Sequence, residues 1–146
     1  MTRLLSDDLL GELTTWLEGR GESFLGQTAI GEVIRNRTAR RLFSDGTVVG
    51  TVFRSKQFSC WNDGDPNRVA LGTLHVEDPS WHSCQRAWAE SATSIVTKGA
   101  THYLSEQAVL QARGVLPSWA ADPNDPKLAN PALVTLREGR HTFFKL

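Results

Sequence analysis

The sequence predicts an α+β fold that is mainly helical, with small β elements, in a chain of 146 residues. Three segments between residues 6 and 96 repeat apolar side chains at the spacing of an α-helix. Shorter segments that are rich in Val and Thr, or that alternate in polarity, indicate brief strands. Hydrophobic residues make up 40% of the chain and charged residues 22%, which is ordinary globular usage, so we expect a single domain over residues 1–146.

The first helix is predicted to begin at Ser6, whose hydroxyl can cap it while Asp7 and Asp8 occupy its first turn. Gly19 is predicted to end this helix in the left-handed conformation that glycine adopts easily. The apolar face is predicted to consist of Leu9, Leu10, Leu13, Trp16 and Leu17.

A second helix is predicted from about Ser23 to Arg41, so that only residues 19–22 connect it to the first. Gly26 and Gly31 weaken this helix intrinsically, but they allow another backbone to approach it closely. Its buried stripe is predicted to be Phe24, Ala29, Ile30, Val33 and Ile34.

The middle of the chain is predicted to be irregular. Asp45 and Gly46 indicate a turn, and residues 47–53, which are rich in Val and Thr, indicate a short strand or extended segment. Residues 57–67 are predicted to form a loop because they contain the run N-D-G-D-P.

A third long helix is predicted over residues 79–96, followed by short extended segments. Residues 101–104 are predicted to be extended, and residues 140–145 alternate in polarity as a last strand does. The prolines within residues 117–131 prevent long regular structure there. The buried positions of the third helix are predicted to be Trp81, Cys84, Ala87, Trp88 and Ile95.

Two glutamates flank the tight connection between the first two helices. Glu18 lies in the last turn of the first helix, where free carbonyls disfavour a carboxylate, and burial beside Trp16 would also raise its pKa. Glu22 precedes the next helix, whose positive end favours the ionised form. Such a pair can perform acid catalysis at neutral pH, with Glu18 as the better proton donor. On spacing alone, two ordinary surface glutamates beside a turn are the more common case.

Charge and terminal composition exclude some classes of protein. Sixteen basic and sixteen acidic side chains cancel, which argues against a protein that mainly binds nucleic acid. Residues 1–10 have no apolar stretch before a small-residue cleavage site, and no apolar run reaches the ~20 residues that cross a bilayer. We expect neither a secretion signal nor membrane insertion, and we expect Cys60 and Cys84 to be free thiols.

Five segments, in order along nearly the whole chain, resemble the motifs of one family. Residues 18–37 contain E-G-R-G-E, G-Q-T-A-I and a final N-R, similar to the E-A-R-G-E, G-Q-x-A-V and N-R elements of the cell-wall hydrolases typified by spore cortex-lytic enzymes. Q-F-S-C-W at 57–61 resembles the Q-F-S-x-W segment of that family, and G-A-T-H-Y at 99–103 resembles its G-A-T-H-Y/F segment. P-S-W-A at 117–120 and G-R-H-T-F-F at 139–144 are similar to its P-x-W-A and G-x-H-x-F-Y segments.

The resemblance implies a lysozyme-like fold, related to goose-type lysozymes and lytic transglycosylases, that cleaves peptidoglycan between N-acetylmuramic acid and N-acetylglucosamine. It identifies Glu18 as the catalytic acid, and a lytic transglycosylase, which needs only one acid, is favoured over a hydrolytic muramidase. Gly19, Glu32 and the V-T-K run at 96–98 depart from the family pattern, which affects local contacts more than the reaction. A hydrolytic route needs a second carboxylate. The candidates for it are Glu22, Asp63 and Asp65.

The layout of the chain is similar to that of a bacteriophage endolysin, which is made in the host cytoplasm and reaches the cell wall through a holin. Peptidoglycan glycan strands are then the expected partner. We expect a monomer that requires no cofactor or metal, binds no nucleic acid and does not insert into a membrane.

A saccharide groove combines aromatic rings with amides and hydroxyls, because sugar rings present apolar faces and many hydroxyl groups. This requirement, together with the resemblance, selects the predicted substrate-binding residues, although each of them alone more often belongs to the scaffold. They are Glu22, Gln27, Gln57, Ser59, Trp61, Thr101, His102, Tyr103 and Trp119.

Two other functions are open on the sequence alone. F-S-C-W at residues 58–61 also resembles the cysteine signature of papain-like proteases, which would make Cys60 the nucleophile of a peptidoglycan amidase or peptidase. The base would then be His75, His102 or His141. The other alternative is a wall-binding module without catalysis.

Overall fold

Three helices form the body of the structure, and two small antiparallel sheets follow them along the chain. The computed structural model describes the backbone of residues 2–146 and the side chains of residues 7–146. The predicted α+β class, mainly helical with small β elements, is confirmed. The helices are α1 (Thr2–Gly19), α2 (Phe24–Arg40), α3 (Val48–Val52), α4 (Pro66–Val69), α5 (Pro79–Glu90) and α6 (Glu106–Arg113), with 3₁₀ turns at Ser59–Trp61 and Ala70–Thr73. The strands are β1 (His102–Leu104), β2 (Ala121–Asp122), β3 (Asp125–Ala129), β4 (Val134–Glu138) and β5 (His141–Phe144).

The helical body is built on α1, α2 and α5, which pack against one another. Gly11 brings α1 so close to α5 that a Cβ at this position would lie 2.3 Å from the Trp88 ring. Gly31 permits the close approach predicted for it, since a Cβ there would lie 2.7 Å from Ser91 Oγ. The large buried side chains of this body include Trp16, Leu17, Ile30, Val33, Ile34 and Trp81.

The larger sheet has the strand order β1–β5–β4 with antiparallel neighbours. Tyr103 of β1 pairs with Phe143 of β5, and His102 pairs with Phe144. Because side chains alternate along a strand, Tyr103 packs against the helical core while His102 faces the opposite side. A second apolar cluster covers that opposite side and consists of Leu104, Leu116, Ala120, Ala129 and Phe144.

Several predicted boundaries are confirmed. Helix α2 begins directly after Ser23, whose Oγ accepts a hydrogen bond from the Gly26 N–H at 3.1 Å. Gly46 has a φ of 90° in the predicted turn. Strands β1 and β5 lie within the segments 101–104 and 140–145 that were expected to be extended.

Both ends of α1 differ from the prediction. The helix begins at Thr2, so Ser6 lies inside it instead of capping its start. It ends at Gly19, as predicted, but Gly19 does not have a positive φ. The small size of this glycine matters instead, because a Cβ would lie 2.7 Å from Ile30 Cδ1.

Residues 47–53 contain helix α3 instead of the predicted strand. Thr47 Oγ1 caps this helix by accepting a hydrogen bond from the Gly50 N–H at 2.9 Å. The Thr51 hydroxyl donates to the Thr47 carbonyl at 2.7 Å. These local side-chain hydrogen bonds outweigh the strand preference of the Val and Thr residues.

Helix α5 ends at Glu90 instead of continuing to residue 96, and Ile95 is therefore 81% exposed. The buried Glu32 carboxylate binds the backbone beyond the helix. Its Oε1 accepts from the Thr97 N–H at 2.9 Å and the Thr97 hydroxyl at 2.6 Å, and its Oε2 accepts from the Val96 N–H at 2.9 Å. Glu32 and the V-T-K run, two of the departures from the family pattern, thus contact each other.

Five helices and strands have no counterpart in the prediction: α4, α6, β2, β3 and β4. The Ser105 hydroxyl caps α6 by accepting from the Ala108 N–H at 3.2 Å.

Leu9 and Phe24, predicted to be buried, lie at the edges of their apolar stripes and are 50% and 44% exposed. Among the described residues, no helix combines the length and apolar composition that crossing a bilayer requires.

The hydrogen bonds of Glu32 give a stability prediction. In Glu32→Gln, an amide N–H₂ group, which cannot accept a hydrogen bond, replaces one carboxylate oxygen. Whichever way the amide turns, this group faces an N–H or O–H donor, so buried donors lose their acceptor. We expect this variant to lose about 1–3 kcal/mol of unfolding free energy, measured by urea denaturation. Glu90→Gln, at the exposed end of α5, should stay within about 0.5 kcal/mol of wild type. Equal stabilities of the two variants would contradict the role given to Glu32.

Candidate active site

Glu18 lies in the last turn of α1, at the short connection to α2, as predicted. The connection is held by Gln27, whose buried side-chain nitrogen donates to the carbonyls of Gly19 at 3.1 Å and Glu22 at 3.2 Å. The Ser83 hydroxyl donates to Gln27 Oε1 at 2.6 Å. The structure therefore places Gln27 beneath the connection, with its amide used by the scaffold, and not on a surface where a substrate could bind.

The Glu18 carboxylate is surrounded by groups from two other segments. Its removal from water is the largest influence on its pKa and raises it. The S–H and N–H of Cys60 and the O–H of Tyr103 donate hydrogen bonds that lower the pKa, while the charge of Asp65 raises it. The net result is a raised pKa. Trp16 is 2% exposed and lies in the core.

Glu18 opens onto two cavities of about 170 and 520 Å³, which share Glu18, Asn67 and Arg140 in their walls. We call the two cavities together the Glu18 groove. Of the predicted site residues, Ser59 lies in its wall and Tyr103 binds Glu18 directly. Other polar side chains in the wall of the larger cavity are Ser105, Gln107, Gln111 and His141.

Glu22 adjoins the groove through the turn between β4 and β5. Its side chain is 5% exposed, and its Oε1 accepts from Arg140 Nε at 2.9 Å. His141 Nδ1 lies 3.3 Å from the same oxygen without hydrogen-bond geometry, and it is buried with no partner among the described side chains. Burial lowers the pKa of His141, Glu22 raises it and Arg140 lowers it, with a lowered value as the result. The imidazole is therefore neutral at neutral pH.

Two predicted site residues near Ser59 use polar side-chain atoms for hydrogen bonds within the protein. Trp61 donates its ring N–H to Thr14 Oγ1 at 2.9 Å. Gln57 accepts from Arg37 Nη1 at 3.3 Å through its side-chain oxygen. The Gln57 side-chain oxygen and the Trp61 ring nitrogen are thus engaged within the protein.

Thr101, His102 and Trp119 lie together, apart from Glu18. Thr101 is fully buried, with its Oγ1 2.9 Å from His102 Nδ1, and the His102 and Trp119 rings are 4.8 Å apart. Burial, with two nearby arginine charges, lowers the pKa of His102 to about 4. Because His102 and Tyr103 are consecutive in β1, their side chains face opposite sides of the sheet, and only Tyr103 reaches Glu18.

The groove also contains residues that the sequence does not single out as substrate-binding. Arg140 and His141 lie in the closing G-R-H-T-F-F motif, so the motif itself was the available signal. The α6 side chains belong to no motif, and they line the groove only because of where the fold places that helix. The additional polar residues are Arg20, Asn67, Ser105, Gln107, Gln111, Arg140 and His141.

Both cysteines are free and buried. Burial raises the pKa of both thiols, that of Cys84 to about 12, and the charge of Glu18 raises that of Cys60 further. Among the side chains of residues 7–146, no cluster of three or more His, Cys, Asp or Glu is arranged to hold a metal ion.

The model of the Cell Wall Hydrolase family matches residues 21–144. This match covers most of the chain, which therefore belongs to the cell wall hydrolase family. The resemblance noted in the sequence motifs is confirmed at this level. Glu18 precedes the matched residues, so its assignment depends on the geometry described above.

Two relatives are spore cortex-lytic enzymes. The enzyme of Oceanobacillus iheyensis is 36% identical over 85 residues, which are 53% of this chain and 30% of that protein. The enzyme of Bacillus cereus is 34% identical over 85 residues, which are 53% of this chain and 32% of that protein. The match thus spans about a third of the length of these relatives.

Two solved structures share the fold. The catalytic domain of the germination-specific lytic transglycosylase SleB from Bacillus anthracis has a TM-score of 0.62 and 21% identity, covering 95% of this chain and 93% of that chain. The catalytic domain of Bacillus cereus SleB has a TM-score of 0.62 and 22% identity, covering 95% and 89%. The predicted lysozyme-like α+β fold is confirmed.

Two substitutions should move the pKa of Glu18 in opposite directions. Tyr103→Phe removes a donor that stabilises the carboxylate, so the pKa should rise further, whereas Asp65→Asn removes a negative charge, so it should fall. Asparagine can still cap α4 as Asp65 does. Carbon-13 NMR titration of the Glu18 carboxyl measures both changes, with exposed Glu77→Gln as the control. Shifts of the same sign would be inconsistent with these contacts.

Proposed function

We propose that this chain cleaves the glycan strand of peptidoglycan between N-acetylmuramic acid and N-acetylglucosamine, as a lytic transglycosylase with Glu18 as its catalytic acid. One observation carries the proposal: the Glu18 carboxyl, with its raised pKa, lies in the shared wall of two open cavities. A carboxyl group that keeps its proton at higher pH can donate it to a glycosidic oxygen. Membership of the cell wall hydrolase family supports the same class of reaction.

In this reaction Glu18 donates its proton to the glycosidic oxygen as the bond from that oxygen to C1 of the muramic sugar breaks. The C1 centre becomes oxocarbenium-like. The Glu18 carboxylate then accepts the proton of the sugar's own 6-hydroxyl, whose oxygen bonds to C1 and closes an anhydro ring. Between the two steps, the hydrogen-bond donors of Cys60 and Tyr103 stabilise the carboxylate.

A muramidase would need a second carboxylate roughly 5–9.5 Å from the first. Glu22 is held in its ion pair under the turn between β4 and β5, and Asp63 is fully exposed in a surface ion pair. Asp65 acts on Glu18 through its charge, but one of its oxygens caps α4. The transglycosylase route, which needs only Glu18, therefore has the stronger support.

The amidase or peptidase alternative depends on Cys60 as a nucleophile. Its thiol is buried, and its raised pKa suppresses the thiolate that such chemistry requires. His102, one of the candidate bases, faces the other side of the sheet. A buried thiol that donates a hydrogen bond to Glu18 is better suited to stabilise the Glu18 carboxylate than to act as the nucleophile.

The setting that we propose for this activity is host-cell lysis by a bacteriophage endolysin. The protein would be made in the host cytoplasm and would act on peptidoglycan strands of the host wall. We expect it to act there as a monomer.

Glu18→Gln tests the proposal directly, because it keeps the shape of the side chain and removes its acid. We expect glycan cleavage of purified peptidoglycan to fall by at least about a hundredfold. Glu77→Gln, an exposed residue before α5, should retain wild-type activity. Mass spectrometry of the soluble fragments identifies the new ends.

Anhydro-muramic ends are the result expected from the wild type. Reducing muramic ends would show that the protein is a muramidase and not a transglycosylase. Freed peptides would show that it is an amidase or peptidase. Binding without any soluble fragment would indicate a wall-binding module. Unimpaired cleavage by Glu18→Gln would show that Glu18 is not the catalytic acid.

A further inference from the structure

Arg140 is an exposed cation beside the catalytic acid. It lies in the turn between β4 and β5, and it contributes to the walls of both cavities that contain Glu18. Its side chain is 68% exposed. Arg20, the other arginine in the groove, uses its guanidinium on the Leu17 carbonyl at 3.0 Å and on Asn67 Oδ1 at 3.2 Å.

A buried carboxylate holds Arg140 in place. Arg140 Nε donates to Glu22 Oε1 at 2.9 Å, and the Glu22 side chain is only 5% exposed. Gly139 makes room for this carboxylate, since its φ is 57° and a Cβ there would lie 2.3 Å from Glu22 Oε2. A second link joins the same two segments, because the Ser23 hydroxyl donates to Glu138 Oε1 at 2.9 Å.

This arrangement leaves one edge of the guanidinium available. Only Nε of Arg140 is engaged, and its two terminal nitrogens make no hydrogen bond or ion pair with the residues that the structure describes. Two parallel N–H groups match the two oxygens of a carboxylate, which is the strongest pairing that arginine forms. The neighbouring His141 is neutral, so it does not compete as a cation.

We propose that Arg140 binds a carboxylate carried by the muramic sugar and so fixes which sugar lies on each side of Glu18. The inference rests on the proposed function. Muramic acid carries a lactyl group that ends in a carboxylate, or in a peptide with carboxylates of its own, whereas N-acetylglucosamine carries neither. A cation held at one side of the groove therefore distinguishes the two alternating sugars, and Glu22 is its positioning residue.

Binding to a strand that cannot be cleaved tests this inference separately from catalysis. Glu18→Gln serves as the background, and Arg140→Gln is added to it. The ligands are muropeptide tetrasaccharides, the same tetrasaccharides after an amidase has exposed the lactyl carboxylates, and both after carbodiimide coupling has converted their carboxylates to amides. Isothermal titration calorimetry measures Kd.

Arg140→Gln should weaken binding about ten- to hundredfold for a ligand that keeps its carboxylates, and much less for the amidated form of that ligand. The peptide-bearing and peptide-free ligands identify which carboxylate is bound. Arg137→Gln is the matched control, because Arg137 lies in β4, also pairs through Nε with a glutamate, and is 60% exposed but is not in the groove. It should leave Kd unchanged.

The inference would be overturned if Arg140→Gln weakened the binding of the amidated ligands as much as that of the unmodified ones. It would also be overturned if Arg137→Gln raised Kd as much as Arg140→Gln does. Because the background is inactive, such a result would leave the cleavage proposal standing. Conversely, carboxylate-dependent binding by a protein whose wild type releases no glycan fragments would count against the cleavage proposal alone.

Discussion

The removal of the Glu18 carboxyl from water is the constraint on which the account of this site depends. It requires three segments that are distant in sequence: the end of α1, the 3₁₀ turn that contains Cys60, and the strand that contains Tyr103. The donors on the last two segments favour the carboxylate, and burial opposes them with the larger effect. The same group is thus able to hold a proton and to remain stable once the proton has left.

The turn between β4 and β5 gives the site a second charged element. Glu22, one residue before the N-cap of α2, binds Arg140 near the end of the chain, so the first and last motifs of the sequence meet at the groove. The acid in the last turn of α1 and the acid in the connection after it therefore have different tasks. Glu18 faces the cavities, whereas Glu22 is buried and positions an arginine.

The sequence allowed the helical body, the position of Glu18 and the strands β1 and β5 to be predicted, because those features follow from local patterns. The site was harder to predict, since a motif identifies residues without the direction in which they point. His102 and Tyr103 are adjacent in one motif but lie on opposite faces of a strand. Gln27 offered an amide and Trp61 an aromatic ring, yet the scaffold uses the polar atoms of both. The α6 side chains reach the groove through tertiary packing, for which the sequence contains no motif.

The most direct test of the central claim is the dependence of kcat/KM on pH for soluble peptidoglycan fragments. If protonated Glu18 is the reactive form, activity is full below its pKa in the free enzyme and is lost as the pH rises through that value. Because the pKa of Glu18 is raised, the loss should occur above the ordinary glutamate value of about 4.3. Activity that increases through this range, or that is already lost near the ordinary value, would contradict the account.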